Sequence, residues 1–116
     1  MERRDAQKLA HILDYCTDIT RYLAAVGNSY DEFLANSMNQ HSIAFCILQI
    51  GELAGKLSPE LREATETDIN WNAIRGMRNV VVHDYGNVDL ETVWDAATKD
   101  IPRLQSFCED RLKAAP

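Results

Sequence analysis

Apolar residues recur along this chain at steps of three and four, the spacing of one face of an α-helix. Residues 3–26 carry the first such pattern, at Ala6, Leu9, Ile12, Leu13, Cys16, Ile19, Leu23 and Val26. Gly27 and Asn28 follow, and both residue types tolerate the left-handed backbone conformation found at helix C-termini. The pattern therefore predicts a long amphipathic helix that ends at this pair.

A second long helix is predicted from Met38 to Leu57, with apolar residues around most of its circumference. A helix of that kind lies at the centre of a bundle or in a subunit interface. Gly51 in its middle lowers helix stability by about 1 kcal/mol relative to alanine. A glycine at such a position is typical of a helix that another backbone approaches closely. Glu52 has two interpretations, a solvated surface residue or a partner for an arginine on the helix that begins at Trp71.

Capping residues predict two shorter helices. Ser29 precedes Tyr30–Leu34, with Glu32 in the position of a capping box. Ser58 followed by Pro59 is a typical helix start, because proline fits the first turn. These elements connect the longer helices.

Two further helices follow, each preceded by a capping residue. Asn70 precedes a helix that starts at Trp71, and Asp89 precedes the last helix. Pro102 lies inside the last helical pattern and predicts a kink near Thr98 to Asp100. With no convincing strand, the chain is predicted to be all-α, an up-and-down bundle of four main helices plus one or two short ones, in a single domain over residues 1–116.

The helix from Trp71 has a polar stripe on one side. At roughly 100° per residue, Asn72, Gly76, Asn79 and His83 fall within about 60° of one another. The opposite side carries Ala73, Ile74, Met77, Val80 and Val81. This stripe, which combines two side-chain amides, a glycine without a side chain and an imidazole, is the most distinctive feature of the sequence.

Arg78 and His83 do not share a side of an ideal helix, since they are roughly 140° apart. Three arrangements would bring them to one ligand. The helix breaks near Val82, the long arginine side chain reaches round, or the two residues meet across a dimer. The sequence leaves these alternatives open.

Charge is distributed unevenly along the chain. The net charge of −6 argues against a nucleic-acid partner, since phosphate binding normally requires a basic surface. Residues 31–70 hold seven acidic and two basic side chains, whereas residues 71–85 hold two arginines and one aspartate. The local basic character therefore coincides with the polar stripe.

Other features narrow the protein class. No window approaches the roughly 18 apolar residues of a membrane span, and we expect a cytoplasmic protein without a membrane partner. The odd number of cysteines, at Cys16, Cys46 and Cys108, predicts buried free thiols. The histidines lack metal-ligand spacing, so neither a metal site nor a cofactor is predicted.

An imidazole beside guanidinium groups suits proton transfer next to a phosphate. Imidazole exchanges a proton near neutral pH, and arginine stabilises phosphoryl charge through paired hydrogen bonds. A histidine near a helix C-terminus also has a simpler interpretation, as a group that stabilises the helix dipole. Asn79, Arg75 and Tyr85 nearby favour the chemical interpretation of His83.

The spacing of Arg78, His83 and Tyr85 resembles the Arg-x4-His-x-Tyr signature of HepT-like proteins, the HEPN-domain toxins of MNT/HepT toxin–antitoxin systems. The resemblance covers nearly the whole chain. It also includes four shorter segments: Ile50-Gly51-Glu52, Asn70-Trp71, Gly76-Met77-Arg78-Asn79 and Asp100-Ile101-Pro102.

The resemblance implies a HEPN-like helical fold and a metal-independent endoribonuclease that acts as a homodimer. Arg78 and His83 would be catalytic, in a cleft at the twofold axis. Asn79 would orient His83 or the RNA, and Arg75 would support it in positioning the RNA. Tyr85 would be the tyrosine that a partner MNT-type nucleotidyltransferase, the antitoxin, modifies with AMP. A purely structural interpretation of Tyr85 is a half-buried ring at the helix end.

Two alternatives remain at this stage. The first is a non-catalytic helical subunit that binds a nucleotide or a partner within a nucleotidyltransferase complex. The second is a dimeric helical scaffold whose polar stripe is a hydrated interface. The choice between tRNA and mRNA would depend on the rim of the cleft, and single-stranded or loop RNA is the expected substrate.

Overall fold

The structure, a computed structural model, describes residues 1–82 and 89–114, with side chains for residues 1–79 and 89–114. Its helices are α1 (Arg3–Ala25), α2 (Tyr30–Leu34), α3 (Ser37–Gly55), α4 (Pro59–Ala64), α5 (Trp71–Val82), α6 (Leu90–Asp95) and α7 (Ile101–Ala114). The described ranges contain no strand. The predicted all-α bundle is confirmed, with α1, α3, α5 and the α6–α7 segment as main helices and α2 and α4 as short ones.

The helix ends lie close to the residues predicted from the sequence. The side-chain oxygens of Ser29, Ser58, Asn70 and Asp89 each accept a hydrogen bond from a backbone N–H two or three residues further on. After α1, Gly27 has a φ of 62°, in the left-handed region that glycine adopts without strain. Local sequence therefore sets where these helices begin and end.

Helix α3 lies at the centre of the bundle. It packs against α1 and α5, and α1 in turn packs against α7. Its buried face includes Ile43, Ile47, Ile50 and Ala54. On the opposite side Phe45 is 53% exposed, with its ring edge-to-face against Tyr15 at a centroid distance of 6.3 Å. The central position predicted for this helix is confirmed, and it also presents apolar surface to solvent.

Trp71 fixes the beginning of α5. Its indole Nε1–H donates to Thr65 Oγ1 at 2.8 Å, and Thr65 Oγ1 donates to the Leu61 carbonyl at 2.7 Å. Its ring also meets Phe107 of α7 edge-to-face at 5.7 Å. Because Trp71 and Thr65 are both buried, these contacts hold the first turn of α5 between α4 and α7.

The last helical segment is interrupted where the sequence predicted. A π-helical turn at Ala96–Asp100 separates α6 from α7. Pro102 follows in the first turn of α7, and its ring would clash in a regular α-helix with the carbonyl of Thr98. A wider π turn changes the geometry at that carbonyl. The predicted irregularity is thus confirmed, in the form of a π-helical turn.

The three cysteines are buried free thiols, as predicted. Burial raises the pKa of Cys108 to about 12 and that of Cys46 to about 11, and it also raises the pKa of Cys16. Because the thiolate is the reactive form, these side chains behave as apolar core residues. None of the described helices combines the length and the apolar character that crossing a membrane would require.

Candidate active site

Helix α5 has a buried side and a polar side. Trp71, Ile74 and Met77 are buried in the core. Arg75 and Arg78 are exposed, as are Asn72 and Asn79. Ala73, which the periodicity placed with the apolar residues, is also exposed. The 3.6-residue repeat therefore places the core anchors of α5 correctly and leaves its arginines towards solvent.

Gly51 of α3 allows α5 to approach closely, and Gly55 lies next to an arginine side chain of α5. A Cβ atom built on Gly51 would lie 3.0 Å from Arg78 Cβ and 3.3 Å from the Arg78 backbone nitrogen. A Cβ atom on Gly55 would lie 3.5 Å from Arg75 Nε. The prediction that Gly51 marks a close backbone approach is confirmed. The two helices run antiparallel, because Gly51 contacts Arg78 whereas Gly55, later on α3, contacts Arg75, which is earlier on α5.

Glu52 forms an ion pair with Arg78 across this contact, between its Oε1 atom and Nε of the guanidinium. Of the two interpretations of Glu52, the structure supports the partner for an arginine. The Glu52 side chain is 38% exposed and that of Arg78 is 50% exposed, so the pair lies at the surface. A guanidinium has five N–H donors, and one carboxylate contact through Nε does not use them all.

The ion pair lies at the wall of a cavity of about 420 Å³ between α3 and α5. It is lined by Gly51, Glu52, Gly55, Lys56, Asn72, Arg75, Gly76, Arg78 and Asn79. Gly76 faces open space, because a Cβ atom built there would meet no other atom within 4 Å. The cavity thus combines three cationic side chains, two amides and one carboxylate around three glycines.

The structure brings together part of the predicted site. Arg75, Arg78 and Asn79 line one cavity. His83 and Tyr85 lie outside the described residues, so the relation of Arg78 to His83 stays a prediction. Within the part of the chain that is described, no group of three or more His, Cys, Asp or Glu side chains is arranged to hold a metal ion.

Lys56 and Gly55 belong to this cavity and were not predicted. The signal was a double spacing of four residues on α3. Gly51 and Gly55 are four apart and share one side of the helix, and Glu52 and Lys56 repeat that spacing one residue further on.

Comparison with known proteins identifies the family. A model described as "Ribonuclease HepT-like" matches residues 12–111. The chain belongs to the HepT-like ribonuclease family. The predicted resemblance is therefore confirmed, over a range that includes α3, α5 and the cavity between them.

The relatives are similar in length to this chain. Two proteins of Methanocaldococcus jannaschii named as RNases are each 31% identical over 114 residues, which cover 97% of this chain and 92% and 96% of the relatives. A protein of Thermococcus cleftensis named as a ribonuclease HepT is 25% identical over 103 residues, covering 89% of this chain and 88% of that protein. No solved structure matches the chain.

Proposed function

We propose that this HepT-like ribonuclease is a metal-independent endoribonuclease whose catalytic residues are Arg78 and His83. The observation that carries the proposal is the geometry of Arg78. Its Cβ packs against α3 at Gly51 while Glu52 holds its guanidinium at the wall of an open cationic cavity. A guanidinium fixed in this way is suited to bind a phosphodiester and to stabilise the charge that develops on it.

In the proposed reaction His83 takes the proton from the ribose 2′-hydroxyl next to the scissile bond. The 2′-oxygen forms a bond to phosphorus and the bond from phosphorus to the 5′-oxygen breaks. The leaving 5′-oxygen takes a proton from water, and His83 returns the proton it accepted to solvent. The products are a 2′,3′-cyclic phosphate and a 5′-hydroxyl. Arg78 holds the phosphate throughout, and Asn79 and Arg75 position the RNA strand.

We propose that the working form is a homodimer in which Arg78 and His83 of the two copies meet. Helical geometry supports this arrangement, because Arg78 and His83 are roughly 140° apart on an ideal helix and do not face one ligand from a single copy. The Arg78 side chain is 50% exposed, so a second copy can reach it.

The proposed role is that of a toxin in a toxin–antitoxin system. Its partner would be an MNT-type nucleotidyltransferase that transfers AMP to Tyr85. An AMP group adds bulk and negative charge, and placed two residues from His83 it would block a phosphate-binding cleft. This proposal rests on family membership and on the spacing of Arg78, His83 and Tyr85.

The acidic character of the chain favours a second candidate. With a net charge of −6, the protein repels RNA outside the cavity, whereas a non-catalytic subunit that binds a nucleotide or the nucleotidyltransferase would not need a basic surface. The two candidates predict different behaviour of the isolated protein, because only the first predicts RNA cleavage in the absence of a partner.

The decisive experiment measures cleavage of single-stranded RNA by purified wild type, Arg78→Ala and His83→Ala in the presence of a chelator. We expect wild type to release 2′,3′-cyclic phosphate ends and both variants to lose cleavage. Arg21→Ala and His11→Ala are matched controls on the exposed surface of α1 and should retain it. Full activity in either site variant contradicts the assignment, and absence of cleavage in wild type favours the binding subunit.

A second experiment tests the proposed switch. Wild type and Tyr85→Phe are each incubated with an MNT-type nucleotidyltransferase, the proposed partner, and ATP, and their intact masses and RNA cleavage are measured. We expect an AMP-sized increase in mass and a loss of cleavage in wild type alone. An equal increase in the Tyr85→Phe variant would place the modification on another residue.

A further inference from the structure

The cavity continues past Arg78 to two further cations, Lys56 and Arg75. Arg75 Nε lies 3.5 Å from the position of a Cβ atom on Gly55, so its side chain lies against α3 at the residue before Lys56. Gly51, which faces Arg78, is four residues away from Gly55. The two positions on the α3 backbone that face the arginines are therefore about 6 Å apart along the helix, a spacing comparable with that of neighbouring phosphates on an extended strand.

The charges at the second position, between Lys56 and Arg75, are suited to bind an anion. Among the residues whose side chains the structure describes, Arg78 has a carboxylate within 4 Å, whereas Lys56 and Arg75 do not. On its other side Arg75 borders a different cavity, where Glu63 and Glu66 balance the charges of Arg62 and Arg75. The cavity that contains Lys56 instead has three cationic side chains and one carboxylate. A phosphate next to Arg75 is thus favoured on the side of Lys56.

The floor of this position leaves room for a ligand. Gly55 has no side chain, and a Cβ atom on Gly76 would meet nothing within 4 Å. Asn72 lies on the same wall and offers an amide that donates hydrogen bonds. The space between Lys56 and Arg75 is therefore open, polar and cationic in a protein of net charge −6.

We propose that Lys56 and Arg75 form a second phosphate site, which binds the RNA phosphodiester next to the one held by Arg78. The inference rests on the proposed ribonuclease function and deepens it. A strand that occupies both positions is fixed at two points, so the scissile phosphate is aligned in the cavity. The site also explains how an acidic protein binds RNA, since the attraction is confined to one groove.

Binding is tested apart from cleavage with a fluorescent single-stranded DNA oligonucleotide, which has no 2′-hydroxyl. Anisotropy titrations at several salt concentrations give Kd and its salt dependence for wild type and Lys56→Gln. We expect about 2- to 5-fold weaker binding, the range of an exposed ion pair. The slope of log Kd against log salt should fall by about 0.7, the value for one contact to a single strand.

The matched control is Lys113→Gln. Lys113 is an exposed residue in the last turn of α7, and its substitution changes the net charge by the same amount as Lys56→Gln. We expect its salt slope to equal that of wild type. Equal slopes for Lys56→Gln and wild type, or equal losses in both lysine variants, would overturn the second site in favour of a general charge effect.

A pair of variants at Gly76 tests the position itself. Gly76→Gln and Gly76→Glu place side chains of equal size in the open space and differ by one negative charge. We expect Gly76→Glu to bind the oligonucleotide more weakly than Gly76→Gln, with a smaller salt slope. Identical affinities would overturn the proposal, because a negative charge in a phosphate site has to repel the strand.

Measuring oligonucleotide binding and RNA cleavage side by side separates the second phosphate site from the proposed ribonuclease function. If wild type binds the oligonucleotide through Lys56 but cleaves no RNA, the phosphate site stands and the ribonuclease proposal fails. If RNA is cleaved and Lys56→Gln binds as wild type does, the reverse holds. AMP that displaces the oligonucleotide at concentrations near its own Kd would identify the site as one for a mononucleotide and overturn a site for an RNA strand.

Discussion

The close contact between α3 and α5 is best tested by adding one methyl group at each of two glycines. Gly51→Ala places a Cβ atom 3.0 Å from Arg78 Cβ, whereas non-bonded carbon atoms pack at about 3.5–4.0 Å. Gly76→Ala places a Cβ atom in open space. The two substitutions therefore make the same chemical change in two different environments.

Three effects determine the difference in the free energy of unfolding between the two variants. Each substitution gains about 0.8–1.0 kcal/mol of helix propensity and restricts the unfolded chain to a similar extent, so these effects cancel in the comparison. Gly51→Ala additionally forces α3 and α5 apart by roughly 0.5 Å, and overpacking of this kind costs about 1–3 kcal/mol. We expect Gly76→Ala to be the more stable variant by about 1–3 kcal/mol.

Thermal unfolding followed by circular dichroism measures this difference at equal protein concentration. A difference of 1 kcal/mol corresponds to roughly 4 °C for a domain of this size, so the Tm of Gly51→Ala should lie about 4–12 °C below that of Gly76→Ala. RNA cleavage, measured well below both transitions, should also fall in Gly51→Ala because Arg78 moves with α5. Equal Tm values, or a higher Tm for Gly51→Ala, would refute the close packing of the two helices.

Three further predictions concern single side chains. Glu52→Gln should change Tm by no more than a few degrees, because an exposed ion pair contributes at most about 1 kcal/mol to stability. It should nevertheless lower kcat for RNA cleavage roughly 10- to 100-fold, because Arg78 is then misplaced. An unchanged kcat would contradict a positioning role for Glu52. Thr65→Val should destabilise by about 1–3 kcal/mol in urea unfolding, because the buried Trp71 indole N–H loses its acceptor, whereas a neutral effect would mean that another acceptor replaces it. The pKa of Asp89 is lowered because the Thr92 hydroxyl and backbone N–H groups donate to its carboxylate. The stability of wild type relative to Asp89→Asn should therefore be largest above about pH 4 and decrease as the pH falls further. Urea unfolding of both proteins between pH 3 and pH 7 measures this difference in stability, and a difference that grows towards low pH would contradict the prediction.

The sequence alone determined which segments are helical and where most of the helices begin; the cap of α3, Asn36, was not predicted. Capping by Ser29, Ser58, Asn70 and Asp89 was predicted and is present, because such a contact joins residues only two or three positions apart. The buried stripe of each long helix was also predictable, since helical periodicity depends only on local spacing. Even the interruption before Pro102 follows from local chemistry, although its form as a π turn does not.

Buried polar contacts between distant segments were not predicted. Asp5 is 3% exposed and accepts hydrogen bonds from the backbone N–H and the hydroxyl of Ser58 at 2.9 and 2.5 Å. Asn39, also buried, donates to the Tyr22 carbonyl at 2.8 Å. A hydrophobicity pattern assigns such residues to solvent, because nothing in their neighbourhood along the chain shows that each will form a hydrogen bond with a residue 53 or 17 positions away.

The candidate site shows the same division. The sequence identified Arg78, Asn79 and Arg75 as candidate site residues because they lie on one helix with a recognisable spacing. It left two interpretations for Glu52 and did not identify Lys56, since both lie on α3 and approach the arginines only when α3 and α5 pack. That packing requires a glycine at position 51, where an added Cβ atom would lie 3.0 Å from Arg78 Cβ, and this requirement arises only when α5 packs against α3. The sequence therefore determined which residues carry the charge, and tertiary packing decided which of them share a cavity.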